Sequence, residues 1–142
     1  MLRTLTTAAA LAALLAAPAL AERTPAPEGA ELYIVRPADG ATVTSPVTVV
    51  FGARNVGVAP AGIEAEATGH HHLLVDVPAD EIDLDNPLPA TERIIHFGGG
   101  QTETTLELAP GTHTLRLLMG DHNHIPHDPP LYSAPVTITV AP

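Results

Sequence analysis

Eight histidines stand in a chain of 142 residues, and all of them fall between positions 70 and 127. Two segments carry most of them: GHHHLLVD at 69–76 and GDHNHIPHDPP at 120–130. Neutral imidazole binds borderline transition metals well when several rings converge in a fixed geometry. Side chains two apart on a strand share a face, so His70 and His72 point one way and His71 points the other, inward beside the end of the core. In the second segment His122, His124 and His127 sit among aspartates and prolines. Ordering a loop costs about 1–2 kcal/mol of backbone entropy per residue. Pro126, Pro129 and Pro130 restrict that loop before any ligand arrives and so lower the cost. The candidate metal ligands are His70, His72, His96, His122, His124 and His127. His71, Met119, Asp121 and Asp128 are further candidates, the aspartates either as ligands or as groups that orient the rings.

The donor set narrows the metal. There is no cysteine, so neither a disulfide nor a thiolate site can form. Nitrogen-rich ligation favours copper(II) first and zinc(II) second over a purely soft copper(I) site. Free imidazole titrates near pH 6.5, so binding is expected to weaken between about pH 7 and 5 as protons displace the metal. Other signals are weaker. DEIDLDN at 80–86 lacks the glycine and terminal glutamate of a calcium loop and reads as a solvated connection. The glycines at 98–100 lack the lysine and following helix of a phosphate loop. Without side chains there, the chain can approach closely. Neither Ser45 nor Ser133 has the context of a catalytic triad.

Strands must position these residues. Short apolar or alternating runs broken by Gly and Pro occupy 32–36, 47–53, 70–77, 91–97, 102–108, 112–119 and 134–140, with an edge strand expected near Ile63. Val47, Val49 and Phe51 share one face. Leu73, Val75 and Val77 face inward, as do Leu106 and Leu108. So do Leu115, Leu117 and Met119, and Ala134, Val136, Ile138 and Val140 in the last run. Seven such strands with regular turn signals predict an all-β fold, an immunoglobulin-like antiparallel sandwich. If successive strands run antiparallel, the start of 70–77, the end of 91–97 and the end of 112–119 meet at one pole. His70–His72, His96, His122, His124 and His127 then converge there. His113 lies at the opposite end, where sandwich corners carry a side chain bonded back to the backbone, and it reads as structural.

The N-terminus, MLRTLTTAAALAALLAAPALA, has an early arginine, a short apolar run and a small-x-small ending. It predicts a signal peptide at 1–21, cut after Ala21. A Pro-rich, flexible leader is expected at 22–31 and a single domain at 32–142. The location is then periplasmic or secreted, with no membrane insertion after cleavage. The formal charge of −10 deepens by one when Arg3 is removed. Such a surface repels nucleic acid and anionic lipid and concentrates cations.

GHHHLLVD, the stretch HFGGGQTETTLELAPGTHTLRLLMGDHNHIPHDPP and the closing strand resemble a family of secreted bacterial proteins, domain-of-unknown-function family 4399, over roughly residues 66–141. That resemblance implies a shared histidine signature and names no activity. RPADGATVTSP at 36–46 is similar to the opening strand and turn of periplasmic copper carriers of the CopC type, which implies an immunoglobulin-like fold. Their copper site uses an N-terminal histidine, whereas cleavage here leaves Glu22-Arg23, so the likeness extends to the fold alone. The functional expectation is a periplasmic protein that holds or delivers copper or zinc, handing it to a protein partner the sequence does not name. The alternatives are a metal-independent envelope domain and, with less support, a metalloenzyme. A His-x-His strand pair is similar to that of copper–zinc superoxide dismutases, but their disulfide and remaining ligand pattern are missing.

Overall fold

A computed structural model describes residues 22–142, and the segment read as a signal peptide lies outside the described residues. Among the described residues, nine strands form two sheets. β1 (Glu31–Arg36), β3 (Val47–Arg54) and β7 (Glu103–Leu106) make the smaller sheet, in the order β1-β3-β7. The larger sheet runs β2 (Thr42–Val43), β9 (Val136–Val140), β8 (Gly111–Gly120), β5 (Thr68–Val75), β4 (Gly57–Val58). β6 (Ile94–His96) also pairs with β5. The inner strands of both sheets are antiparallel, while the two-residue strands β2 and β4 pair parallel with β9 and β5. The orders β1-β3-β7 and β9-β8-β5 correspond to A-B-E facing G-F-C in an immunoglobulin-like sandwich.

The core lies between the sheets. Leu32, Val47, Val49 and Phe51 from one sheet meet Leu73, Val75, Leu115, Leu117, Met119, Val136, Ile138 and Val140 from the other. Alternation along β3 and β9 explains this: every second residue is apolar and faces in, and the threonines between them face water. β5 departs from alternation because both of its faces are covered. Leu74 packs on the outer side with Leu88 and Leu118, beneath Val77, Ile82, Ile94 and Tyr132. The loops at 76–93 and 121–135 therefore form a partial third layer, and the histidine pole is part of it.

Several expectations shift. The edge strand is Gly57–Val58 rather than near Ile63. Pro60 and Gly62, the latter at φ 81°, turn residues 59–63 into a loop. Its amides reach the carbonyls of Gly98 and His122. Val77 joins the outer cluster instead of the core, because Asp76 adopts a left-handed φ of 56° and ends the strand's alternation. Ala134 is exposed. Ser133 is buried instead, its hydroxyl accepting from the Leu117 amide and donating to the Ala134 carbonyl. The stretch expected as a flexible leader is tied down. Ala26 N–H donates to the Asp128 carbonyl, Asp128 N–H donates to the Thr24 carbonyl, and the Arg23 guanidinium donates to the carbonyls of Pro126 and His127.

Candidate metal centre

The β5–β8 register places His70 opposite Gly120 and His72 opposite Leu118, and the β5–β6 register places His72 opposite His96. On the outer face of β5 the rings of His70 and His72 lie side by side, 4.9 Å between centroids. The His96 ring approaches from β6 at 5.0 Å from His70 and 5.1 Å from His72. His124 closes the group from the loop after β8, 5.0 Å from His70 and 4.8 Å from His96. One nitrogen from each of these four rings lies within 4.8 Å of the other three. His70 Nε2 and His124 Nδ1 lie 3.1 Å apart, within hydrogen-bond distance. Zinc–imidazole bonds of about 2.0–2.1 Å at tetrahedral angles put ligand nitrogens roughly 3.3 Å apart, so small ring rotations would bring the set onto one ion.

Two glycines make room. A β-carbon on Gly120 would stand 2.9 Å from His72 Cε1 and 3.3 Å from the His124 backbone. One on Gly98 would collide with the His96 ring. The second case fits the expectation that the bare glycine run permits close approach.

Asp121 builds the loop that delivers His124. Its Oδ1 accepts from the amides of Asn123 (2.8 Å) and Ile125 (3.0 Å), and its Oδ2 accepts from the Thr24 hydroxyl (2.7 Å). The His124 amide donates to the Asp121 carbonyl, and the His124 carbonyl accepts from Leu88 N–H. Inside this turn His124 takes φ 67°, a conformation non-glycine residues adopt only when surrounding contacts impose it. Burial pushes the Asp121 carboxyl up, but the hydrogen bonds from Thr24, Ile125 and Asn123 outweigh it and hold the group below its ordinary value.

The electrostatics of the cluster disfavour a proton on three of its rings. Burial, followed by the neighbouring rings of His124 and His96, lowers His70 to about 4. Burial, then His70, His96 and His124, lowers His72 to about 3. His96 is lowered by burial and by His124. Neutral rings present lone pairs, the state a metal needs. Yet His70 Nδ1, both nitrogens of His72 and His96 Nε2 are buried with no hydrogen-bond partner among the described residues. Leaving a buried polar group unpaired costs about 1–3 kcal/mol.

The other candidate residues lie elsewhere. His122 faces outward with its Nε2 2.9 Å from Asn123 Nδ2, on an open cleft shared with Thr24, Glu28, Glu64 and Glu66. It does not join the cluster, because the Asp121 turn and the left-handed His124 separate two rings that a strand would align. His127 and His71 are buried on the core side of the sheet, His71 edge-on to Phe51 at 5.2 Å, with Met119 as its register partner. Asp121 is spent on the loop backbone. The Asp128 carboxylate is 67% exposed and 3.9 Å from the Arg23 guanidinium. His113 lies at the far end as expected, its Nδ1 2.8 Å from Asp76 Oδ2 and its Nε2 2.8 Å from the Ala109 carbonyl.

The fold and geometry together define an immunoglobulin-like sandwich carrying a four-imidazole group at one pole that can hold a metal ion. The sequence model of DUF4399, a domain of unknown function, matches residues 49–141, and the chain belongs to that family. No curated protein and no solved structure matches the chain, so the likeness of residues 36–46 to CopC-type carriers gains no support from these comparisons.

Proposed function

We propose that this protein binds one transition-metal ion through His70, His72, His96 and His124, copper(II) first and zinc(II) second, and holds or delivers it in the periplasm or outside the cell. The observation that carries this reading is the convergence of four rings, three of which (His70, His72 and His96) bury nitrogens that find no partner among the described residues. A structural role would pair those nitrogens with carbonyls or carboxylates, as His113 is paired. Coordination instead stabilises them. An all-imidazole set with no thiolate suits copper(II) and zinc(II). The acidic surface, net −10 over the chain, raises the local cation concentration.

The test is elemental analysis of tag-free protein isolated from its native host, followed by competition titration of the apo form with copper(II) and zinc(II). The reading requires one tight equivalent that His72→Leu abolishes. A fold that carries no metal, and whose stability ignores both added metal and chelator, would instead mark a metal-independent envelope domain.

A further inference from the structure

β5 divides the pole into two sides. His70 and His72 face outward, while Gly69 and His71 face the core side. On that core side lies a second group of metal-ligating side chains, none of which belongs to the four-imidazole set. Met119 on β8 is the register partner of His71. His127 comes in from the loop after β8. Both pack onto the bare Cα of Gly69: a β-carbon there would stand 2.6 Å from Met119 Cγ and 3.0 Å from His127 Cε1. All three side chains are sealed from solvent, His71 and Met119 at 0% exposure and His127 at 1%. All four ring nitrogens of His71 and His127 are buried without a hydrogen-bond partner among the described residues. Phe51 and Phe97, 4.8 Å apart, wall the site on the apolar side. His127 is held at this depth by the N-terminal strap, through Arg23 to its carbonyl and through the pairing of Thr24 and Ala26 with Asp128.

We propose that His71, His127 and the Met119 thioether form a second metal site on the core side of β5, and that this site takes copper(I). Two imidazoles and a thioether form a donor set that carries no anionic ligand and includes a soft sulfur. Thioether sulfur selects copper(I), whereas carboxylate and water select hard ions. Burial of all three side chains with no anionic group among them favours the monovalent ion further, because burying a divalent charge there would cost more. The site stands on its own residues and does not depend on the four-imidazole site being filled.

Its test is an anaerobic competition titration with a chromophoric copper(I) chelator, combined with copper-edge X-ray absorption. His96→Gln/His124→Gln removes two ligands of the outer group from half-buried positions and should keep one tight copper(I) equivalent with a sulfur scatterer in its shell. Adding Met119→Leu, which roughly conserves volume, should remove the sulfur signal. It should also weaken that equivalent at least about tenfold, the lower end of what disturbing a metal site costs. If Met119→Leu impairs folding, the wild-type protein decides the matter by showing sulfur in its copper(I) shell or lacking it. Loss of every tight copper(I) equivalent from a folded His96→Gln/His124→Gln protein, or a wild-type copper(I) shell without sulfur, overturns the proposal. Copper(I) retained in that variant while wild-type protein takes neither copper(II) nor zinc(II) would overturn the four-imidazole reading and leave this one standing.

Discussion

His113 and the histidines of the opposite pole are the same side chain in contrasting circumstances. His113 has an acceptor at each ring nitrogen, the Asp76 carboxylate and the Ala109 carbonyl, so its protonated form can donate twice. Its pKa is raised, first by the Asp76 hydrogen bond and then by Ala109. The rings of His70 and His72 have other imidazoles around them, and their pKa values fall to about 4 and about 3, chiefly through burial. One environment invites a proton and the other refuses it. What distinguishes a fastening from a ligand here is whether the fold supplies the ring with acceptors. Depth of burial alone does not distinguish them, since Ser133 is also deeply buried and yet fully bonded.

The largest expected effect is on metal-linked stability. At free metal a thousandfold above Kd, binding to the folded state alone raises unfolding free energy by about 4 kcal/mol. Chemical denaturation with and without zinc(II) should show that increment in wild-type protein and in His113→Ala, and none in His72→Leu. An increment lost from His113→Ala and kept by His72→Leu would reverse the comparison. Next is the apo protein itself. His113→Ala removes two hydrogen bonds, one of them to a carboxylate, and should destabilise the apo fold by about 1–3 kcal/mol. His72→Leu deletes unpartnered polar atoms and should leave apo stability level or higher. Denaturant midpoints measured without metal separate the two.

The pH profiles of the apo protein should also oppose one another. Where the folded pKa is depressed, as for His70, His71 and His72, the unfolded chain takes up protons first. Their contribution is intact above about pH 6.5 and is lost as pH falls toward about 4, at about 1.4 kcal/mol per pH unit for each titrating ring. The raised pKa of His113 works the other way, stabilising below about pH 6.5 and fading as pH rises through its folded value. Between the raised folded value of His113 and about pH 6.5, wild-type protein should therefore gain stability from this group as pH falls and His113→Ala should not, while below about pH 6.5 the two profiles run parallel.

These lowered values also revise the expectation that metal binding weakens between pH 7 and 5. Protons compete poorly for His70 and His72 in that range, so the loss owed to these two rings moves below about pH 5. Carboxylates titrate there too, and salt becomes the better discriminator. Adventitious binding to the acidic surface should fade with added salt, and binding in the cluster should persist.

Much of this was legible in the sequence because it rests on strand arithmetic. The period of two placed His70 beside His72 and turned His71 away. Antiparallel connection brought His96 and the end of β8 to the same pole. What stayed hidden was governed by turns and by tertiary contact. His122 and His124 are also two apart, but Asp121's grip on the following amides and the left-handed φ of His124 send one ring outward and the other in. The segment 22–31 has a flexible linker's composition, yet Arg23 and the amide of Ala26 find carbonyls more than a hundred residues away. Composition does not report such pairings. Gly57–Val58 gives a pairing too short for any periodicity to register.

The smallest expected effect concerns the room made for the rings. Gly98→Ala would push on His96 without removing any ligand. Metal affinity should fall about tenfold, at the low end of what disturbing a ligand's support costs, and competition titration reads it directly.

On the proposed reading the ligands are the four converged rings of His70, His72, His96 and His124. X-ray absorption at the zinc or copper(II) edge of the singly loaded protein tests it most directly. The expected result is a first shell of four nitrogens with the outer-shell pattern of coordinated imidazole, lost in His72→Leu and retained in His113→Ala. A shell dominated by oxygen and unchanged by His72→Leu would contradict it.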